Sequence, residues 1–252
     1  MLSYILILFF TALTAGLAVL WVPVMEGRVY KLMLVFAGSY LFAITVVHLL
    51  PELMRTSGSD SSHVGMLVLA GFFLQLLLEY LSGGVEHGHL HAAGSGHQGN
   101  DHHHHGITPA TLLIALCIHA FLEGTLLLHP ADNGHAHQTD SLLAGIVLHK
   151  APAAFALMSV LLHQLHKRWA ITSLVIFALA SPAGLVVSEL IQSDRAGWDI
   201  MTHWIYPLVA GSFLHISTTI FFENSPEHNF NLHKLLVSIG GALLAAMTEF
   251  VG

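Results

Sequence analysis

The sequence predicts an all-α polytopic membrane protein with eight transmembrane helices, in one membrane domain over residues 1–252. Hydrophobic residues make up 54% of the chain and charged residues only 9%. A soluble domain carries roughly 25% charged residues, so most of this surface meets lipid. The mean hydropathy of +0.70 agrees. Apolar segments of about 20 residues, the length that crosses a bilayer core, recur along the chain. They fall at 3–24, 30–53, 64–82, 108–128, 141–165, 169–191, 203–223 and 232–251.

The first run lacks the charged n-region and small-residue cleavage site of a signal peptide, and it reads as the first span. Short connections carry turn formers: Pro23 and Gly27, Ser57 to Asp60, Ser193 to Gly197, and Asn224-Ser-Pro226. The fourth span opens on Thr108-Pro109, a capping residue followed by proline at the first helical position. One connection differs. Residues 83–106 are rich in Gly and His (His87, His89, His91, His97, His102, His103, His104 and His105) and nearly free of apolar side chains. Such a stretch has nothing to bury and is expected to be disordered.

Lys and Arg set the orientation. With the N-terminus outside, cytoplasmic connections hold Arg28, Lys31, Lys167, Arg168 and Lys234, and outer ones only Arg55 and Arg195. The positive-inside rule therefore predicts both termini outside the plasma (inner) membrane and the His-rich loop in the cytoplasm. The single cysteine, Cys117, excludes an internal disulfide framework and a Cys-based zinc finger. A formal charge of -7 argues against nucleic acid as a partner. Histidine, the commonest metal ligand, occurs 21 times against 8 for Lys and Arg together.

The chemistry concentrates in spans four and five. His119 and Glu123 are four residues apart, so on a helix they share a face. Ionisable residues inside a span are costly and mark a substrate route by default. Span four enters from the cytoplasm near 108, which puts His119 about 16 Å deep, and span five puts His149 about 12 Å from the outer face. In a core about 30 Å thick the two imidazoles reach nearly one level. Two neutral imidazoles and a carboxylate suit zinc, and also iron, manganese or cobalt.

Pro152 and Pro182 lie inside spans five and six, where each removes a helix hydrogen bond and kinks the chain. Broken helices at this depth are tolerated where they line a cavity. Lys150 sits too deep to snorkel easily and needs an anionic partner or a wet cavity, with Glu123 the obvious partner. His48 and Glu52 form a second i,i+4 pair towards the outer end of span two. With Glu189 and Glu249 they read as a cation-attracting vestibule or as a solvated rim. His215 in span seven is a path candidate, and Glu79 and Glu223 are candidates for the exit. His129, His135 and His137 flank the outer loop between spans four and five, as ion contacts or as a polar turn.

With these residues in view, the chain resembles the ZIP family of divalent-metal (zinc/iron) transporters. The resemblance rests on HLLPE at His48–Glu52, HAFLEG at His119–Gly124, His149 with Pro152, Ser-Pro-x-Gly at 181–184, and Gly211-Ser-Phe-Leu-His215 with Glu223. It implies an inverted 3+2+3 arrangement, usually as a homodimer. It also implies movement of Zn2+, or of Fe2+, Mn2+, Co2+ or Cd2+, towards the cytoplasm, with no prosthetic group. The family's metal ligands carry over onto His119, Glu123 and His149.

The departures are as informative. Where two-metal members have a polar ligand after the first histidine, this chain has Ala120. Where they have an acid after the second, it has Lys150. The usual Glu after the span-five proline is Ala153, and the acid that some members place before the span-six proline is Ser181. All four changes remove ligands from a second-metal position, so a single-metal site is expected, with the Lys150 ammonium in place of the second ion. Two other readings stand beside this one. The first is an intramembrane zinc-dependent hydrolase with Glu123 as general base. The second is an efflux carrier or metal sensor, with the His-rich loop as its cytoplasmic detector.

Overall fold

The computed structural model describes residues 1–21, 28–56, 61–82, 108–128, 136–223 and 232–251. Among them the chain forms eight helical rods and no strand. We number them α1 (Leu2–Ala18), α2 (Arg28–Ile44, continued by Thr45–Leu49 and Leu50–Thr56) and α3 (Ser61–Ser82). Then follow α4 (Pro109–Thr125), α5 (Ala136–Gln164), α6 (Lys167–Ile191), α7 (Arg195–Ile200, Met201–Ile205 and Tyr206–Glu223) and α8 (Leu232–Val251). Four stretches, Val29–Thr56, Ser61–Ser82, Thr139–Gln164 and Lys167–Ile191, are long and apolar enough to cross a membrane. The His-rich loop lies outside the described residues.

Local chemistry explains where the rods begin and end. The Thr108 hydroxyl accepts from Thr111 N–H at 3.2 Å, with Pro109 next to it, so α4 starts as the sequence predicts. Asp194 caps α7 by accepting from Gly197 N–H at 2.7 Å, and this rod begins eight residues before the apolar run at 203. The extra turns come from the cap, which an apolar window does not register. α1 stops at Ala18 rather than 24. Val19, Leu20 and Trp21 each bond three residues back, the tightened geometry of a closing helix end.

α2 and α7 each contain one π-helical turn, at Thr45–Leu49 and Met201–Ile205. In both, a threonine hydroxyl takes the carbonyl four residues earlier: Thr45 on Leu41 at 2.7 Å and Thr202 on Trp198 at 2.9 Å. The wider turn itself is closed by backbone bonds five residues back, Leu50 N–H on the Thr45 carbonyl and Tyr206 N–H on the Met201 carbonyl. By contrast, α5 and α6 run on through Pro152 and Pro182 without a break in the helix.

The rods sort into two packed groups. α1, α5 and α6 lie together with α4 paired on α6, while α2, α7 and α8 lie together with α3 paired on α7. Glycine permits the closest pairings. A Cβ on Gly124 would strike the Ser181 carbonyl, and one on Gly184 the Phe121 carbonyl, so α4 and α6 meet backbone to backbone. Gly71 against Leu208 and Gly211 against Val68 do the same for α3 and α7. Outward faces stay apolar, with Phe10, Phe73, Leu77, Leu243 and Met247 all exposed. An exposed apolar surface of this extent suits lipid contact.

Candidate metal centre

α4 and α5 bring His119, Glu123 and His149 to one point. Each can offer a ligand atom, and these atoms all lie within 4.8 Å of one another. The imidazole rings stand nearly perpendicular, at 88°, with centroids 5.8 Å apart. Nε2 of His119 is 2.9 Å from Oε1 of Glu123, and Nε2 of His149 is 4.0 Å from the same oxygen. All three residues are at least 97% buried. Among the described residues this is the one group of three or more His, Cys, Asp or Glu residues brought so close.

The other carboxylate oxygen of Glu123 faces Lys150, whose Nζ is 3.6 Å away. Lys150 is only 1% exposed. It donates to the Ser181 hydroxyl at 2.6 Å, and that hydroxyl donates on to the Ala120 carbonyl at 2.6 Å. The ammonium also lies 4.6 Å from the centre of the Phe177 ring, within cation–π range. So Ser181, which the sequence offers only as a missing acid, serves as an acceptor for the lysine and ties α5 and α6 to α4. The Pro182 helix carries this contact, and a hydrogen bond from Ser188 to the Thr125 carbonyl at 2.9 Å extends the seam.

Behind His119 stands a residue that the sequence reading passed over. Nδ1 of His119 lies 3.1 Å from Oε1 of Gln75, and the Ser212 hydroxyl donates to that same oxygen at 2.8 Å. Gln75 is fully buried on α3 and Ser212 on α7. A lone amide within a 22-residue apolar helix was the available signal.

The remaining candidates lie elsewhere. His48 is half-buried in the π-helical turn of α2, and Glu52 pairs with Arg55 at 2.9 Å. His215 bonds Glu79 through Nε2 and Oε2 and meets the Phe72 ring edge-on at 4.7 Å between centroids. Glu189 is exposed. Glu223 ends α7 and Glu249 falls in the last turn of α8, with side chains outside the described set, as are those of His129, His135 and His137.

A family model described as the ZIP zinc transporter matches residues 81–249. The chain belongs to the ZIP family. The matched stretch contains His119, Glu123, His149, Lys150 and Ser181, and Gln75 precedes it. Zinc transporter ZIP9 of Micropogonias undulatus is 31% identical over 162 residues, covering 62% of this chain and 49% of that one. Zinc transporter ZIP9-A of Xenopus laevis is 28% identical over 162 residues, covering 62% and 51%. The chain thus spans about half the length of the curated relatives it matches.

Proposed function

We propose that this ZIP protein carries divalent metal ions, zinc first among them, across a membrane towards the cytoplasm. All eight rods would span the bilayer in the inverted 3+2+3 arrangement, with both termini outside the plasma membrane and two copies paired as a homodimer. The observation that carries the reading is the buried meeting of His119, Glu123 and His149. Ionisable groups that meet inside an apolar bundle mark an ion's route by default. Bound zinc holds nitrogen and oxygen ligands at about 2.0–2.2 Å, so donors spread over as much as 4.8 Å draw inward on an ion. A site that closes on its cargo and reopens suits exchange better than a structural zinc does.

A single ion fits this chain. Lys150 fills the space beside Glu123, and Ala120, Ala153 and Ser181 supply no carboxylate there. The fixed ammonium repels a bound cation and so favours its release. His48 and Glu52 would serve the entrance, and His215, Glu79 and Glu223 the exit. The His-rich loop buffers ions on the cytoplasmic side. The similarity to proteins named zinc transporters supports transport over hydrolysis.

Zinc uptake into proteoliposomes tests the reading, comparing the intact chain with His119→Ala and His149→Ala. Uptake lost in both variants is the expected result. Uptake retained by both, or a hydrolytic activity with no zinc movement, refutes it.

A further inference from the structure

We propose that Gln75 is the positioning residue of the metal centre, the group that turns His119 towards the ion. The inference rests on the metal-site reading above. It assigns a role in that site to a residue on a different helix and in the other packed group of rods.

An imidazole binds metal through one nitrogen, and the hydrogen bond at the other nitrogen decides which. At His119 the nitrogen aimed at Glu123 is Nε2, and Nδ1 faces the Gln75 carbonyl at 3.1 Å. Oε1 is an acceptor only, so Nδ1 carries a proton, and in the neutral ring the lone pair that can take an ion is then on Nε2. The Ser212 hydroxyl, donating to Oε1 at 2.8 Å, keeps the amide oxygen rather than its nitrogen on this side. Three helices thus contribute to one contact: α3 the acceptor, α7 the group that orients it, and α4 the ligand.

The placement is costly unless it is used. Gln75 and Ser212 are at most 1% exposed, and a buried polar group left unsatisfied costs about 1–3 kcal/mol. A leucine or methionine would pack in α3 without that liability. The chemistry of the acceptor matters too. A carboxylate behind a ligand histidine raises its basicity and tightens the metal bond. A neutral amide orients the ring without that gain, which suits a site that must let its cargo go.

The test is zinc binding to the purified full-length chain in detergent, by competition with a chromogenic chelator, beside the thermal midpoint of the zinc-free protein. Gln75→Met keeps the size and loses the acceptor, and zinc affinity is expected to fall about 10- to 100-fold. Gln75→Glu keeps an acceptor, and affinity is expected to stay within about threefold of the parent or to tighten. Ser212→Ala frees the amide and is expected to cost about 3- to 10-fold. A role in packing alone predicts a lowered thermal midpoint with unchanged affinity, and that result overturns the proposal. So does equal loss in Gln75→Met and Gln75→Glu. Should Gln75→Met fail to fold, unchanged affinity in Ser212→Ala overturns it. His119→Ala separates the two levels, because zinc affinity unaltered there refutes the metal site itself rather than the role of Gln75.

Discussion

The Glu123 carboxylate divides between two partners: Oε1 lies 2.9 Å from the His119 imidazole, while Oε2 faces the Lys150 ammonium at 3.6 Å. One oxygen faces the two imidazoles and the other a fixed cation. Lys150 is tolerated in an apolar bundle because Glu123 is there, and removing either alone leaves a buried charge.

That relationship predicts a compensating pair of substitutions. Breaking a buried ion pair from one side costs about 3–5 kcal/mol, whereas replacing both partners is often neutral. Glu123→Gln and Lys150→Met should each lower the thermal midpoint of the zinc-free protein, and the double variant should recover most of the loss. Zinc binding should follow a different order: lost in Glu123→Gln and in the double variant, tightened in Lys150→Met. Additive losses in the double variant would show that the pair is not coupled.

Ser181 gives a milder prediction. Its hydroxyl accepts from Lys150 and donates to the Ala120 carbonyl, each at 2.6 Å. Ser181→Ala removes that acceptor while the Glu123 and Phe177 contacts of the ammonium stay in place. A hydrogen bond to a charged group contributes about 1.5–3 kcal/mol, so the thermal midpoint should fall by less than in Glu123→Gln. Chemical denaturation in mild detergent, with the two variants side by side, checks the order.

The rods and the meeting of His119, Glu123 and His149 are largely legible in the sequence, for physical reasons that do not extend to the rest. Apolar runs register as helices because each must satisfy its own backbone in lipid, and His119, Glu123 and His149 stood out as ionisable groups inside them. Their depths could be compared by counting 1.5 Å per residue. Gln75 escaped because it has no charge and its partners lie 44 and 137 positions away. The π-helical turns at Thr45–Leu49 and Met201–Ile205 are not legible because an apolar run reads as helix whichever carbonyl each backbone N–H takes. In the sequence Ser181 marks only an acid that is missing; its contact with Lys150 requires α5 and α6 to be packed side by side.

Glycine packing supplies a sharper contrast. A Cβ at Gly124 would meet the Ser181 carbonyl, whereas one at Gly65 or Gly240 finds nothing within 4 Å. Gly124→Ala should therefore destabilise by about 1–3 kcal/mol, the usual cost of overpacking, and shift Ser181 away from Lys150. Gly65→Ala or Gly240→Ala should be neutral or stabilising by up to about 1 kcal/mol, the helix preference of alanine. Thermal midpoints of the three variants decide the matter, and a loss shared equally among them would refute the close approach of α4 and α6.

The proposed single-ion site is open to direct manipulation. On that proposal Lys150, 3.6 Å from Glu123, takes the place of a second cation, and Ala153, one residue after Pro152, has no side-chain oxygen to hold one. Lys150→Asp combined with Ala153→Glu exchanges a positive group for two carboxylates on the same stretch of α5. Carboxylate oxygens and imidazole nitrogens together suit zinc and its neighbours, and Glu123 would then be free to bridge two ions. The double variant should bind one more zinc ion per chain than the parent, measured by metal analysis of the two purified proteins after the same dialysis. Lys150→Asp alone leaves Ala153 in place and should bind the extra ion more weakly, so its count should fall towards the parent's as dialysis continues. Two ions already present in the parent, seen as adjacent anomalous-diffraction peaks beside Glu123, would contradict the single-ion site and the role given to Lys150.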